Sequence, residues 1–433
     1  MQFYSTRNSN HIVNIDEAIL NGIANDGGLY MPSAFTNVYT ELEGDDLHSV
    51  AENMLTPFIG GYFSAEEIKA IVRESFAFDV PLVQLNELLY IAELFHGPTL
   101  AFKDFGGMFM ANVMSKILQK QGRKLTILVA TSGDTGGAVA NGFFDKKNID
   151  VVILYPKGKV SDLQELQLTT FGKNITAIAV DGTFDDCQHL VKTAFADQEL
   201  KASANLSSAN SINIGRLIPQ MIYYGYVANT LFQEKNIKPT IVVPSGNFGN
   251  ISAGLFAKRI GYPIARFIAA TNANDVVPEY FNTGKYMPRP SVQTLSNAMD
   301  VGAPSNIERI NNLFGNDISK IKDEISAYTV SDEQTKSTMQ SVYEKYNYIA
   351  DPHTAVGIHV AEEKANNETT VVMSTAHPAK FKADVEQILG IQLPLPKQLR
   401  DILNKPQQLL NMTNSSPVLK DFLLTAQKKI TCD

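Results

Sequence analysis

The sequence predicts an α/β fold with two lobes of mostly parallel sheet, preceded by a helix-rich N-terminal region. Short β-branched apolar runs alternate with helical patterns from about Tyr90 onward, which is typical of βαβ units. The preceding stretch has helical patterns and Gly or Pro turns but no continuous apolar strand run. The predicted ranges are 1–90 for the N-terminal region, 91–215 for the first lobe and 216–433 for the second lobe with C-terminal helices.

Six apolar runs are the clearest predicted strands, and helical patterns separate them. Because helices cover both faces of a parallel sheet, this alternation indicates two lobes with a cleft between them. The strand runs are at 125–130, 151–155, 175–180, 240–243, 267–270 and 369–373. Helical periodicity is clearest at 185–195 and 217–231, and in the N-terminal region at 15–23 and 65–76.

The composition is that of a globular protein that does not bind nucleic acid. The chain has 433 residues, enough for two to three domains at about 150 residues each. Hydrophobic residues make up 44% and charged residues 19%, which excludes a disordered or fibrous chain. The formal net charge of -8 provides no basic field for a phosphate backbone. Nucleic acid is therefore not an expected partner.

Cysteine usage and hydropathy predict a cytoplasmic location. The two cysteines, Cys187 and Cys432, form no CxxC pair, which excludes a disulfide framework and a thiolate zinc site. The beginning of the sequence lacks the charged and apolar pattern of a signal peptide, and no run approaches about 18 apolar residues. We therefore expect neither secretion nor membrane spanning.

Two Gly-rich loops follow predicted strands. The first, 131–137, reads TSGDTGG, and the second, 244–250, reads PSGNFGN. Backbone N–H groups and the positive end of the following helix can hold an anion in such loops. Neither loop matches a G-x-G-x-x-G or P-loop pattern, and a tight turn is the alternative for either loop alone. Two such loops in one chain favour a ligand with small anionic groups.

Lys103 is the most unusual residue of the sequence because it lies between Phe102 and Phe105, where a helix is predicted to begin. Most lysines are solvated, and that is the alternative here. An apolar setting and the positive end of a helix both lower the pKa of a lysine and favour a nucleophilic amine, although Asp104 opposes this shift. A Schiff-base lysine together with a Gly-rich phosphate loop indicates pyridoxal 5′-phosphate as the cofactor.

A third strand end, 374–381, carries hydroxyl residues before a basic and aromatic turn. Taken alone, a Ser or Thr there caps a helix. His96, His353 and His377 are candidate acids or bases, but they lack metal-ligand spacing and we expect structural roles for them. No H-E-x-x-H or G-x-S-x-G pattern occurs, so neither a metal site nor a serine hydrolase is expected.

Five segments resemble motifs of the threonine synthase family, in its longer bacterial and fungal type, and the resemblance covers essentially the whole chain. It implies the fold-type II, tryptophan synthase β-like architecture of pyridoxal-phosphate enzymes. The implied reaction converts O-phospho-L-homoserine and water to L-threonine and phosphate by γ-elimination and β-addition of water, as the last step of threonine biosynthesis. The segments are ELFHGPTLAFKDFGG (93–107), TSGDTG (131–136), SANSIN (208–213), PSGNFG (244–249) and TAHPAKF (375–381).

The resemblance also implies roles for individual residues. Lys103 resembles the Schiff-base lysine that later moves protons, and Thr375 resembles the hydroxyl residue that faces the pyridine nitrogen. The residues that resemble the loop binding the cofactor phosphate are Gly246, Asn247, Phe248, Gly249 and Asn250. The residues implied near the substrate's carboxylate are Ser132, Asp134 and Thr135. Those implied at its phosphate are Asn210, Ser211 and Arg216. Lys159 is a weaker candidate for the phosphate, because a solvated lysine explains it equally well.

Asp134 departs from the wider class, in which many members have Asn in this loop, but it agrees with the longer threonine synthases. A carboxylate beside the cofactor's phenolate oxygen and the substrate carboxylate is repelled unless it is protonated or turned away. No direct contact is therefore assigned to Asp134, although it stays among the substrate-loop candidates.

Two alternative functions remain open at this point. The first is a lyase acting on O-phosphothreonine, as the threonine-synthase-like proteins do, with nearly the same site residues. The second is a non-catalytic protein on the same scaffold, against which the retention of Lys103, both Gly-rich loops and Arg216 argues. A homodimer is expected by analogy with fold-type II enzymes.

Overall fold

A computed structural model describes residues 1–39, 46–131, 133–365 and 367–430 of the chain. The strands within these residues are β1 (Gln2–Ser5), β2 (Asn8–Asn14), β3 (Tyr30–Pro32), β4 (Leu82–Gln84), β5 (Leu89–Glu93), β6 (Leu125–Ala130), β7 (Ile149–Pro156), β8 (Ile175–Asp181), β9 (Leu206–Ser207), β10 (Thr240–Pro244), β11 (Arg266–Thr271), β12 (Ile325–Thr329), β13 (Thr370–Ser374) and β14 (Leu409–Thr413).

The helices of the same residues alternate with these strands. They are α1 (Ile15–Asn21), α2 (Leu47–Ile59), α3 (Ala65–Ser75), α4 (Lys103–Gln121), α5 (Asp134–Phe143), α6 (Asp162–Thr169), α7 (Phe184–Ala196), α8 (Gln198–Ser203), α9 (Ile214–Leu217), α10 (Met221–Lys235), α11 (Gly249–Arg259), α12 (Val276–Thr283), α13 (Ile307–Leu313), α14 (Ile318–Glu324), α15 (Asp332–Tyr346), α16 (Pro352–Lys364), α17 (Lys382–Leu389), α18 (Lys397–Leu403) and α19 (Ser416–Ile430). Short 3-10 helices occupy Ile218–Gln220, Asn297–Met299 and Pro378–Phe381.

Two sheets form the centres of the two lobes. The six-stranded sheet has the order β12-β11-β10-β13-β5-β4, and its neighbouring strands are parallel except for β4 and β5. The five-stranded sheet has the order β14-β8-β7-β6-β9 and is parallel throughout. The prediction of two α/β lobes with mostly parallel sheets is confirmed.

The predicted strands are those with near-continuous apolar sequence. Every residue of β6, β10 and β13 is buried. Helices cover both faces of a parallel sheet, so its strands need apolar side chains on both sides. Each of the six predicted runs is a strand within two residues at either end.

Strand pairing departs from the predicted domain ranges for three strands. Strands β4 and β5 belong to the six-stranded sheet, in which β5 pairs with β13, although β4 lies in the predicted N-terminal region and the stretch after residue 90 was predicted to begin the other lobe. Strand β14, far along the chain, pairs with β8 in the five-stranded sheet. The three ranges stay a prediction of domain boundaries, but each sheet takes a strand from outside its range because pairing depends on contacts between distant residues.

The N-terminal region contains the two predicted helices, α1 and α3, and also a helix, α2, and a three-stranded antiparallel sheet that were not predicted. Its order is β2-β1-β3. Strand β2 is mostly exposed, so it lacks the apolar run by which strands were recognised. The sheet contacts α13 of the second lobe, where Tyr4 donates to Asn312 Oδ1 at 2.6 Å and Arg7 pairs with Glu308 at 3.0 Å.

Candidate active site

The candidate site lies at the carboxyl ends of β6, β10 and β13, where ligands bind in open α/β sheets. The turn before α4 runs antiparallel to the turn after β13, with a bridge between Ala101 and Ala376. Phe102 N donates to the Thr375 carbonyl oxygen at 2.9 Å. Lys103, the next residue, therefore begins α4 beside the turn that carries Thr375.

Lys103 has the surroundings that a Schiff-base lysine needs. Its side chain is 18% exposed, and its Nζ lies 3.9 Å from Asp134 Oδ2. Burial lowers the pKa of Lys103, and the carboxylate of Asp134 opposes this shift. The charges of Lys380 and Arg216 lower the pKa further. An amine in this position is unprotonated at a lower pH than an ordinary lysine and is correspondingly nucleophilic.

Asp134 is held between two lysines. Its Oδ1 contacts Lys380 Nζ at 2.9 Å, and Gln164 Nε2 donates to the same oxygen at 3.3 Å. Burial alone would raise the pKa of Asp134, but the charges of Lys380 and Lys103 outweigh burial and hold it well below its usual value. The expectation that Asp134 is protonated or turned away did not include Lys380, which supplies a counter-charge.

Asp104 contacts Thr99 rather than Lys103. Its two carboxylate oxygens accept from the Thr99 N–H at 2.9 Å and from the Thr99 hydroxyl at 2.6 Å. Gly97 is needed beside it, because a Cβ there would lie 2.4 Å from Asp104 Oδ2. Burial raises the pKa of Asp104 to about 6, although the bonds from Thr99 oppose this shift.

Asp104→Asn is expected to remove a pH-dependent loss of stability. The folded-state pKa of about 6 lies above the ordinary value of 3.8. The contribution of Asp104 to stability is therefore complete below about pH 4 and is lost as the pH rises through about 6. Relative to the parent protein, the variant should gain about 2 kcal/mol in free energy of unfolding between about pH 4.5 and about pH 7. Urea titrations measure this difference, and an equal difference at both pH values would contradict the assignment.

The loop after β10 presents unpaired N–H groups at the start of α11. The N–H groups of Gly246, Asn247 and Phe248 donate to no other described residue. Phe248 adopts a left-handed conformation, with φ of 59°, which turns the chain into the helix. Free N–H groups at a helix N-terminus are suited to a phosphate group.

Side chains of the same loop fix its position. Asn247 Nδ2 donates to Ser211 Oγ at 2.6 Å, and Asn247 Oδ1 accepts from the Ser305 N–H at 2.6 Å. Asn250 Oδ1 accepts from the hydroxyls of Tyr223 and Tyr224 at 2.5 and 2.7 Å. The Asn250 side-chain oxygen therefore supports the helix, while its Nδ2 is buried without a described partner and remains a free donor beside the loop.

Thr375 and its neighbour Ser374 lie buried at the end of β13. Ser374 Oγ bonds to Thr354 Oγ1 at 2.7 Å. The Thr375 hydroxyl forms no hydrogen bond with another residue in the described ranges, although its carbonyl oxygen is bonded. This hydroxyl is available to a ligand.

Arg216, in α9, is a buried guanidinium without a carboxylate partner among the described residues. Its Nη1 donates to the Ala209 carbonyl oxygen at 2.7 Å, while its Nε is buried without a described partner. Burial lowers its pKa to about 10, although the charge of Asp104 opposes the shift. It packs against Gly106 of α4, where a Cβ would lie 2.7 Å from Nε. A buried cation with a free donor suits a phosphate group.

Asn210 and Ser211 lie in the loop that Arg216 contacts, and both are half-buried. The bond between Ser211 and Asn247 joins this loop to the loop after β10. The predicted substrate-phosphate and cofactor-phosphate loops are therefore neighbours in the structure.

The remaining predicted substrate residues are less well supported. Thr135 is half-buried in the first turn of α5, with no described side-chain bond. Lys159 is exposed in the turn after β7, and its charge acts on Asp186 at the start of α7. Ser132 lies outside the described residues. The roles of these three residues stay predictions.

The histidines take structural positions. His353 Nδ1 contacts Asp351 at 2.7 Å, and its Nε2 accepts from the Ala298 N–H at 3.1 Å, so both ring nitrogens are bonded. His377 caps the 3-10 helix after β13, and burial lowers its pKa. His96 is partly exposed and pairs with Glu93 at 2.8 Å.

Arg309, in α13, is a buried residue whose importance the sequence did not indicate. Its guanidinium donates to the Tyr30 carbonyl oxygen at 3.2 Å, to Asn306 Oδ1 at 2.5 Å and to the Ile212 carbonyl oxygen at 2.5 Å. Asn306 in turn donates to the Asn247 carbonyl oxygen at 3.0 Å. Arg309 thus connects strand β3 to both phosphate loops.

Arg309→Met is expected to lower the free energy of unfolding by at least about 2 kcal/mol, because it leaves three buried acceptors without a donor. The matched control is Arg7→Met, which removes an exposed ion pair with Glu308 and should change stability by less than about 0.5 kcal/mol. Urea unfolding of both variants makes the comparison. Equal stability of the two variants would show that Arg309 does not connect these elements.

The residues of the site fit pyridoxal phosphate. The buried Lys103 amine, the unpaired N–H groups of the loop after β10 and the available Thr375 hydroxyl offer the three attachments that the aldehyde, phosphate and ring nitrogen of this cofactor need.

Comparison with known proteins agrees with this geometry. Residues 75–375 match the family of pyridoxal-phosphate dependent enzymes. Residues 2–76 and 354–423 match the N-terminal and C-terminal families of threonine synthase. The threonine synthase of Haemophilus influenzae is 44% identical over 427 residues, which cover 98% of this chain and 100% of that protein. The chain belongs to the threonine synthase family.

Solved structures of threonine synthases share this fold over nearly the whole chain. The pyridoxal-phosphate-bound threonine synthase of Brucella melitensis has a TM-score of 0.93 at 37% identity and covers 98% of this chain and 99% of its own. The Escherichia coli enzyme has a TM-score of 0.90 at 42% identity, with 98% and 100% covered. The chain is thus a pyridoxal-phosphate-dependent lyase of fold type II. Among the described residues, no helix is long and apolar enough to cross a membrane.

Gly246→Ala is expected to weaken cofactor binding in this threonine synthase family member. A Cβ at Gly246 would lie 2.7 Å from Met299 Cα, so the loop would have to move. Overpacking of this kind costs about 1–3 kcal/mol, and we expect about a tenfold higher dissociation constant in a titration of the cofactor's visible band. Gly61→Ala is the control, because the nearest described atom to its Cβ would be 3.6 Å away. Unchanged affinity in the Gly246 variant would place the phosphate elsewhere.

Proposed function

We propose that the chain converts O-phospho-L-homoserine and water to L-threonine and phosphate, by γ-elimination and β-addition of water. The observation that carries this proposal is Arg216, a buried guanidinium with an unused Nε. It lies close enough to Lys103 for its charge to lower the pKa of that lysine. A phosphate ester of a small amino acid has a phosphate group that suits Arg216 and an amino group that suits the cofactor site at Lys103.

When bound, pyridoxal phosphate supplies an electron sink that acidifies Cα and then Cβ of the substrate. Lys103 Nζ takes and returns the protons, because burial lowers its pKa and favours the unprotonated amine. The N–H groups of residues 246–250 would hold the cofactor's phosphate. The Thr375 hydroxyl would contact the ring nitrogen, and a hydroxyl need not keep that nitrogen protonated.

Arg216, with Asn210 and Ser211, holds the substrate's phosphate and stabilises the charge that develops on it as its bond to Cγ breaks. The loop of Ser132, Asp134 and Thr135 receives the substrate carboxylate. Thr131 supports this loop, because its hydroxyl accepts from the N–H groups of Gly133 and Gly136 at 3.0 and 2.9 Å. A proton is added at Cγ and the hydroxyl of water at Cβ, so that threonine and free phosphate are the two products.

The test compares O-phospho-L-homoserine with O-phosphothreonine under identical conditions. We expect threonine and phosphate in equal amounts from the first substrate. If the only products were ketoacid, ammonia and phosphate from O-phosphothreonine, the chain would be a lyase of the threonine-synthase-like kind. Cofactor binding without turnover of either substrate would identify a non-catalytic protein.

We also propose that the chain acts in the cytoplasm as a homodimer. Its two cysteines, Cys187 and Cys432, support a reducing compartment, and Cys187 is buried as a free thiol. The dimer rests on analogy with other fold-type II enzymes. Light scattering on the purified protein gives the mass directly, and a mass of one chain would reject the dimer.

A further inference from the structure

Lys380 is a buried cation at the centre of the proposed active site that has no role in the reaction described above. It belongs to the 3-10 helix after β13, and its side chain is 1% exposed. A buried ammonium group is costly unless its charge is balanced and its hydrogens are bonded. Its partners therefore indicate what it does.

All three hydrogens of the Lys380 ammonium group have acceptors. Nζ donates to the Thr99 carbonyl oxygen at 2.8 Å and to Gln167 Oε1 at 3.1 Å. The third acceptor is Asp134 Oδ1, at 2.9 Å. Because an ammonium group has three donors, this set satisfies it and fixes it in place.

The carboxylate of Asp134 is shared unequally between two lysines. It lies 2.9 Å from Lys380 Nζ but 3.9 Å from Lys103 Nζ. Asp134 is the one acidic group that forms an ion pair with either lysine among the described residues. A single carboxylate does not balance two ammonium groups in a buried site, so the less closely bound lysine loses its proton more readily.

We propose that Lys380 is a positioning residue that binds Asp134 and thereby keeps the Lys103 amine unprotonated and able to react. Its positive charge neutralises the carboxylate that would otherwise stabilise an ammonium group on Lys103. The same charge also repels a second positive charge nearby. The inference rests on the role of Lys103 in the proposed function, and its test requires no substrate.

The other charged groups that face the pair are consistent with this arrangement. Burial has the largest effect on the pKa of Lys103 and lowers it, while Asp134 opposes this shift. The charges of Lys380 and Arg216 lower the pKa further. His353 has both ring nitrogens bonded, to Asp351 and to the Ala298 N–H, and its Nε2 is an acceptor. Asp104 is bonded to Thr99, and the charge of Lys380 also acts on it.

The test is the pH dependence of Lys103 labelling by an amine-reactive reagent, in the full chain freed of cofactor and read by peptide mass spectrometry. Only the unprotonated amine reacts, so the midpoint of the profile reports the pKa of Lys103. For Lys380→Met we expect the midpoint to rise by about one pH unit, since an opposite charge within about 4–6 Å shifts a pKa by that much or more. A midpoint equal to that of the parent protein would overturn the proposal.

A second pair of variants separates charge from packing. Asp134→Asn alone should lower the midpoint, because Lys380 then repels a charged Lys103 without a balancing carboxylate. Adding Lys380→Met to Asp134→Asn removes both charges, and the midpoint should return towards that of the parent protein. If the double variant kept the midpoint of Asp134→Asn, Lys380 would act through packing alone. This comparison holds even if Lys380→Met does not fold by itself.

Gln167→Met is the matched control for the loss of a buried hydrogen bond. It removes one acceptor of Lys380 without changing any charge, so the midpoint should stay at that of the parent protein. A rise as large as that expected for Lys380→Met would contradict the electrostatic role. Because labelling needs no substrate, failure of the proposed reaction would leave the outcome of this test unchanged.

Discussion

Lys103→Ala is expected to abolish turnover while leaving the protein folded. The variant loses both the covalent attachment of the cofactor and the base that moves the substrate's protons, and we expect activity to fall by at least about 1,000-fold. Stability should change little, because Lys103 Nζ lies 3.9 Å from its partner and Asp134 keeps its closer bond to Lys380. The measurement is formation of threonine and phosphate, with thermal unfolding recorded on the same sample.

Lys116→Ala is the matched control for this variant. Lys116 lies on the same helix, α4, and its Nζ also lies 3.9 Å from a carboxylate, that of Glu74. The Lys116 side chain is 29% exposed and that of Lys103 is 18% exposed, so the two substitutions remove comparable ion pairs. Full activity of the Lys116 variant is expected. Turnover that survived in the Lys103 variant would refute the proposed catalytic centre.

Arg216→Met should lower kcat/KM for O-phospho-L-homoserine by about 100-fold, because donors placed on a developing negative charge contribute this much or more. Met has a similar length and no charge, so it fills the space against Gly106 without a donor. The cofactor's visible band should be retained, since Arg216 is assigned to the substrate's phosphate. Inhibition by inorganic phosphate should weaken in parallel with kcat/KM.

The Arg309→Met variant distinguishes substrate binding from support of the loop. Arg309 and Arg216 are both buried, and each donates to a backbone carbonyl oxygen of the loop 208–213 or its flank. Loss of Arg309 should reduce stability, whereas loss of Arg216 should reduce kcat/KM at nearly unchanged stability. A kcat/KM within a few-fold of the parent value in the Arg216 variant would remove the proposed phosphate site.

Sequence alone predicted the parts of the fold that depend on local pattern. Strands β6, β10 and β13 have near-continuous apolar sequence and are buried along their whole length, and helix α7 has one buried face. The exposed strand β2 and the pairing of β14 with β8 were not predicted. The first lacks an apolar run, and the second depends on a contact between distant parts of the chain.

The candidate site divides in the same way. Lys103 and the two Gly-rich loops stand out because their neighbours in sequence already indicate an unusual setting. Lys380 and Arg309 do not, because each is buried by residues from other elements and its partners include backbone carbonyl groups. Lys380 pairs with Asp134 because the fold places the turn after β13 beside the start of α5, a contact between distant parts of the sequence.

The most direct test of the account is a visible absorption spectrum of the purified protein before and after addition of O-phospho-L-homoserine, with threonine and phosphate measured in the same sample. We expect the band of a lysine-bound pyridoxal phosphate, a change of that band on addition of substrate, and the two products in a ratio of one to one. A protein that stays colourless and inert after addition of pyridoxal phosphate would contradict the proposed mechanism.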